Sequence, residues 1–138
     1  MKRIKYFVVL TSLLLIILKC KSLQTNADLE KVFNQVENDL GTKYDKAYNT
    51  DSSYVICSKR LKSGSPQGFV KTKYVVISLS NGNIIKSGVL NFGELSWVDR
   101  YVIRLNSGKG YISDEDNGIV SEYYHVRENR TSTNYKKK

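Results

Sequence analysis

Cysteine and histidine, which can serve as a nucleophile and its base, are scarce in this chain. The single histidine, His125, and the internal cysteine, Cys57, form the candidate catalytic pair, because distant strands can bring such residues together. The sequence has no serine elbow, no metal-ligand spacing and no phosphate-binding glycine loop. We therefore predict a protein that is not an enzyme and needs no cofactor. Cys57 is predicted to be a small buried hydrophobe, and His125 a residue at a sheet surface.

An acidic turn offers the candidate metal ligands Asp114 and Asp116. A calcium-binding EF-hand loop requires Asp or Asn at its fifth position, Gly at the sixth and an acid at the twelfth. Gly118, Ile119 and His125 occupy those positions here, so the pattern fails. We interpret the segment as a solvated turn and predict no metal site.

A run of cations without acidic residues lies between positions 59 and 73. Its members flank a Gly- and Pro-containing loop, so two paired strands would gather them at one end of a sheet. Such a patch could contact lipid phosphates, envelope polymers or an acidic protein, although a charge run can also be a solvated face. The candidate binding residues are Lys59, Arg60, Lys62, Lys71 and Lys73.

The net charge of +9 does not indicate a nucleic-acid partner. Between Lys21 and Val126 there are 13 of the 22 basic residues and 12 of the 13 acidic ones. The body of the chain is therefore nearly neutral, and its excess positive charge lies at the two ends. A nucleic-acid-binding protein concentrates positive charge on a groove or recognition helix instead, so we predict no nucleic-acid partner.

The chain begins with basic residues followed by an apolar run. Lys2, Arg3 and Lys5 precede Tyr6–Leu18, a 13-residue stretch without charge. A membrane-spanning helix needs about 20 apolar residues. A secretory signal has a basic start and an apolar stretch of roughly 7–15 residues. This segment therefore predicts export.

Ile17, Leu18 and Lys19 come directly before Cys20. An apolar run that ends at a cysteine resembles the signal of bacterial lipoproteins, although Lys19 stands where that family has a small residue. The resemblance covers about residues 1–21 and implies a lipid on Cys20 that attaches the mature chain to a membrane of the cell envelope. The alternatives are a cut after Cys20 or Ala27 with secretion of the chain, or retention of the segment as a short anchor.

The first regular element predicted is a helix over residues 28–40. Apolar residues recur there at helical spacing and form one stripe, and Gly41 follows as a stop signal. A stripe of this kind is typical of a helix that packs on its own protein's sheet. Its residues are Leu29, Val32, Phe33, Val36 and Leu40.

After a polar connector over Thr42–Ser52, short apolar runs alternate with turn residues. Asn81-Gly82 predicts a tight two-residue hairpin, Gly88 predicts a bulge, and the short connections predict antiparallel neighbours. The predicted strands lie near Tyr54–Arg60, Phe69–Leu79, Asn83–Phe92, Trp97–Leu105, Gly110–Ser113 and Ile119–Val126.

These elements predict an α+β fold with one helix packed on an antiparallel meander of five to six strands. The layout, and only the layout, resembles that of cystatins. The alternative is a small barrel or sandwich, because Trp97–Leu105 has apolar residues on both faces. The predicted organisation is a signal segment over residues 1–20, a tether over 21–27, one globular domain over 28–126 and a disordered basic tail over 127–138.

The sequence thus predicts a small exported or membrane-tethered envelope protein that works by binding a protein or an envelope polymer. The alternative is an inhibitor or immunity protein that caps a toxin or hydrolase. A hydrolase-type enzyme is the third hypothesis, and the missing catalytic constellations count against it.

Overall fold

A computed structural model describes residues 26–62, 70–108 and 118–136 of the chain. Within these ranges a helix, α1, covers residues 26–40 and eight strands follow it. The strands are β1 (Asp45–Tyr48), β2 (Tyr54–Lys62), β3 (Val70–Ser78), β4 (Asn83–Asn91), β5 (Glu94–Asp99), β6 (Val102–Gly108), β7 (Ile119–His125) and β8 (Arg130–Ser132). They form two four-stranded antiparallel sheets, each in chain order: β1 to β4, and β5 to β8.

The first sheet lies between the helix and the second sheet. The apolar stripe of α1 covers one face of β2 and β3, where Val55, Cys57 and Val75 are buried. The opposite face, with Ile56 and Val76, packs against the second sheet. Because successive side chains of a strand alternate between faces, strands covered on both sides read as unbroken apolar runs. This accounts for the apolar sequences at the centres of β2 and β3.

The predicted α+β class, the helix and, within each sheet, the antiparallel pairing of consecutive strands are confirmed. The stripe residues Val32, Val36 and Leu40 are buried, and Leu29 and Phe33 pack beside them. The predicted meander of five to six strands, with the layout likened to that of cystatins, differs from the structure in its division into two sheets of four strands each. The chain leaves the first sheet after β4 and builds a second one, so the fold combines the predicted helix layer with two stacked sheets that do not close into a barrel within the described ranges.

The predicted strand Trp97–Leu105 is in fact the hairpin of β5 and β6. Trp97 lies opposite Ile103, and Asp99 lies opposite Val102 after a register shift. The apolar residues seemed to occupy both faces because the chain turns back at residues 100–101. Trp97 and Ile103 consequently lie next to each other on the face that packs toward the first sheet.

The predicted hairpin at Asn81-Gly82 joins β3 to β4, but its loop has more than two residues. Ser78 pairs with Asn83, so residues 79–82 form the loop. Gly82 has a φ of +66°, and its amide donates to the Ser78 carbonyl at 3.0 Å. A left-handed conformation of this kind explains why glycine occupies the position.

The bulge predicted at Gly88 lies elsewhere in β4. Val76 pairs with Lys86 and Ile77 with Ile84, so the extra residue is Ile85. Gly88 pairs regularly with Tyr74, whose ring lies against it; a Cβ added at Gly88 would be 3.0 Å from the Tyr74 hydroxyl oxygen. Close approach of a ring, rather than a bulge, accounts for this glycine.

Two predicted boundaries need correction and others lie outside the described residues. The polar connector contains the short strand β1, and the segment predicted as a disordered tail contains β8, which pairs with β7. Neither strand has an apolar run that would have indicated it. The signal segment, the Gly110–Ser113 strand and Lys137–Lys138 fall outside the described ranges.

In the described part of the chain, no helix has the length and apolarity that crossing a membrane requires.

Candidate binding site

Cys57 and His125 lie in different layers and do not form a pair. Cys57 is fully buried on the helix side of the first sheet, where burial raises the pKa of its thiol to about 11. His125 is on the outer face of the second sheet, with Nε2 3.2 Å from Ser132 Oγ. Both sheets therefore separate the thiol from the imidazole. The interpretation of Cys57 as a small buried hydrophobe matches its position in the core.

The candidate metal ligands Asp114 and Asp116 lie outside the described residues. Across residues 26–62, 70–108 and 118–136, no group of three or more potential metal-binding side chains comes together.

The predicted basic patch is gathered at one end of the first sheet but divided between its faces. The β2–β3 register sets Lys59 opposite Lys73 and places Lys71 beside them, opposite Leu61. By the alternation of side chains, these three lysines are on the helix side. Arg60 is on the other side, with Nη2 3.8 Å from Glu94. Lys62 ends β2, opposite Val70.

Two of these lysines approach the C-terminal end of α1. Lys73 Nζ donates to the Asp39 carbonyl at 2.8 Å. Gly41, with a φ of +83°, brings the chain so close to Lys59 that an added Cβ would be 2.7 Å from its Nζ. The last carbonyls of a helix lack partners and carry partial negative charge, so nearby cations stabilise them. Lys59 and Lys73 therefore stabilise the end of the helix. The partial negative charge of its carbonyls also offsets the repulsion between the two ammonium groups.

Beside this helix end is an open groove of about 510 Å³, here called the basic groove. β1 begins at Asp45, which pairs with Ser58. The groove forms because β2 continues past Ser58 to Lys62 without β1 beside it. The groove contains three cations and one acid. Its lining residues are Thr42, Lys43, Tyr44, Asp45, Ser58, Lys59 and Arg60.

The side chains of the basic groove suit an anionic ligand. Lys43 is exposed, and the Arg60 side chain is 69% exposed, so both can donate several hydrogen bonds to carboxylate or phosphate oxygens. The hydroxyls of Thr42 and Ser58 add neutral donors. The sequence prediction missed Lys43, because the residue follows the helix in a polar connector and only the fold sets it next to β2.

At the opposite end of the domain, the β1–β2 turn joins the two sheets. Asp51 Oδ1 accepts from Ser53 Oγ at 2.5 Å and from Asn49 Nδ2 at 2.8 Å, and Oδ2 accepts from the Tyr101 hydroxyl at 2.6 Å. Asn49 Nδ2 also donates to the Arg100 carbonyl at 2.8 Å. The hydrogen bonds to the carboxylate hold the pKa of Asp51 well below its ordinary value of 3.8. The bond from the Ser53 side chain has the largest effect on this pKa.

Replacing Asp51 with asparagine is expected to lower thermal stability more at neutral pH than in acid. Since the pKa of Asp51 is depressed in the folded protein, the ionised carboxylate stabilises the fold above its ordinary pKa, and this stabilisation is lost as the pH falls through the folded-state value. The gap between the melting temperatures of wild type and Asp51→Asn should therefore begin to narrow below about pH 4. Tyr101→Phe, which removes one donor, should show a smaller effect of the same sign. A gap that stays constant from pH 7 to pH 3 would contradict this role of the carboxylate.

No protein-family model, curated protein or solved structure matches this chain.

Proposed function

We propose that this protein is a small non-enzymatic binding module of the bacterial cell envelope, exported or tethered through a lipid on Cys20, which holds an anionic partner in its basic groove. The observation that carries the proposal is the groove itself, where Lys43, Lys59 and Arg60 outnumber the single acid Asp45 beside an open part of β2. A local excess of one charge attracts ligands of the opposite charge, even on a body that is nearly neutral.

The position of the groove favours a protein or envelope polymer over lipid phosphates. The start of α1 lies beside the β3–β4 hairpin, where a Cβ on Gly82 would be 3.1 Å from the Asp28 carbonyl oxygen. The groove lies at the other end of α1, and a helix over residues 26–40 is about 22 Å long. The groove therefore lies at the end of α1 that is far from the point where a tether would join the domain.

An acidic toxin or hydrolase is a special case of such a partner. The inhibitor or immunity role rests on the same groove, because opposite charges across an interface speed association and select the partner. The bonds of Asp51 and Asn49 between the sheets favour this role as well, since a rigid domain loses little entropy when it binds.

The proposal is tested by titrating the protein with labelled poly-glutamate and with polyphosphate. We expect both to bind, and we expect a Lys43→Glu/Arg60→Glu variant to bind at least about tenfold more weakly, a loss of about 1.4 kcal/mol. Lys59 is left unchanged because it supports the helix end. A Lys31→Glu/Lys136→Glu variant makes the same change in net charge away from the groove and should bind like wild type. Equal losses in both variants would show that net charge, and not the groove, causes binding.

A further inference from the structure

The two sheets have unequal edges in the described part of the chain. The edge strands β1, β5 and β8 contain four, six and three residues, and each carries exposed charge, as at Lys46, Glu94 and Arg130. The edge strand β4 contains nine residues and a single charge, Lys86, whose Nζ lies 4.5 Å from the centre of the Tyr124 ring. Short length, exposed charge and bulges are the usual protections against strand addition. β4 is long, and its one bulge, at Ile85, comes before the regularly paired residues 86–91.

The hydrogen-bond pattern shows which groups of β4 point outward. The Phe92 amide donates to the Val70 carbonyl at 2.8 Å, so the amides that bond to β3 belong to every second residue counted back from there. The amides and carbonyls of Ser87, Val89 and Asn91 consequently face away from β3. All three residues are exposed, and Val89 is exposed by 52%.

The helix does not cover this part of the first sheet. The core on the helix side includes Ile84, near the start of β4, but none of the outward-facing residues farther along the strand. Val89 lies opposite Lys73, whose Nζ is directed to the Asp39 carbonyl. Among the strands of residues 26–62, 70–108 and 118–136, none pairs with this edge of β4, which presents its outward backbone groups together with an exposed apolar side chain.

We propose that β4 pairs antiparallel with β4 of a second copy of this chain. A two-fold axis at Val89 sets this residue against Val89 of the second copy and Ser87 against its Asn91. Neither pair carries charge, and β-branched residues are favourable cross-strand partners. An isologous contact of this kind closes as a dimer and leaves β4 fully paired.

Charge also favours a second copy over an acidic or basic peptide. Residues 87–91 carry no charge, so this edge offers a charged peptide no opposite charge and sets no like charges of two copies against each other. The nearest cations on this face, the two Lys73 side chains, would be about 14 Å apart across three strand spacings. That distance exceeds the screening length of about 8 Å at physiological salt.

Dimerisation would join two first sheets into one sheet of eight strands and place the basic grooves at its far edges. Seven strand spacings separate the outer strands by about 34 Å. Two grooves at that separation would give a dimer avidity for a repetitive anionic polymer. This consequence rests on the proposed function, whereas the dimer itself does not.

The dimer is tested by light scattering on the purified full-length chain over a dilution series. We expect wild type to dissociate on dilution and Val89→Lys to have a dissociation constant at least about tenfold higher, because it sets two cations opposite one another. Val120→Lys, at an exposed valine of the second sheet, should behave like wild type. Circular dichroism confirms that each variant is folded.

Three results would overturn the proposal. One is a wild-type chain that stays monomeric at every concentration. Another is an assembly that survives Val89→Lys, which would place the contact outside β4. The third is a monomeric chain whose β4 binds an extended peptide of another protein. Binding of poly-glutamate by both wild type and Val89→Lys would leave the groove proposal standing in each case.

Discussion

Replacing Tyr124 with alanine is expected to destabilise the fold by about 3–5 kcal/mol, as for other large aromatic side chains removed from cores. Tyr124 is 2% exposed and lies between the two sheets with Ile56, Val76 and Ile103. Its hydroxyl is 3.2 Å from the Ile85 carbonyl oxygen. The alanine variant therefore loses apolar contacts in the layer that holds the sheets together and also leaves a polar group of β4 without its partner.

Urea denaturation followed by circular dichroism measures this loss. Tyr124→Phe is the matched control, because it keeps the ring and removes only the hydroxyl, which also lies 2.8 Å from Asn129 Oδ1. The phenylalanine variant should lose about 1 kcal/mol. If the alanine and phenylalanine variants lose the same free energy of unfolding, the Tyr124 ring does not contribute to packing between the sheets.

Replacing Gly93 with alanine is expected to cost about 3 kcal/mol. Gly93 is where the chain passes from β4 in the first sheet to β5 in the second, and its carbonyl accepts from Thr72 Oγ1 at 2.6 Å. An added Cβ would collide with the backbone carbonyl oxygen of Asn106 and lie 2.9 Å from Leu90 Cβ. The Asn106 backbone on one side and the hydrogen bond from Thr72 on the other prevent Gly93 from shifting to relieve this contact.

The control for this prediction is Gly88→Ala. Its new methyl group would meet the end of the Tyr74 side chain, at 3.0 Å from the hydroxyl oxygen, and a side chain can shift where backbone cannot. Thermal and urea unfolding of both variants should show a clearly smaller loss for Gly88→Ala. Equal losses of stability in the two variants would show that contact with the Asn106 backbone does not make Gly93 more sensitive to an added methyl group than Gly88.

The helix and the pairing order of the strands were predictable because they depend on local patterns. The spacing of Val32, Val36 and Leu40 identifies a helix face, and short connections identify antiparallel neighbours. The split into two sheets was not predictable in this way. Every link in a meander looks alike in sequence, and the clash that constrains Gly93 is with Asn106, a residue of β6.

The basic groove was predictable only in part. The cations of β2 and β3 stand out as an acid-free run, but the register that sets Lys59 opposite Lys73 depends on the fold. Lys43 joins them because β1 is short and begins at Asp45. The role of Lys73 at the helix end likewise follows from how α1 lies across the sheet, which no local pattern encodes.

The most direct test of the proposed binding site is a backbone amide NMR titration of the protein with poly-glutamate. Our account predicts that the largest shift changes fall on residues 42–45 and 58–60, which line the groove, and that the hairpin at residues 79–82 at the other end of α1 stays unchanged. Shift changes spread evenly over the exposed lysines, or centred on the hairpin, would contradict it.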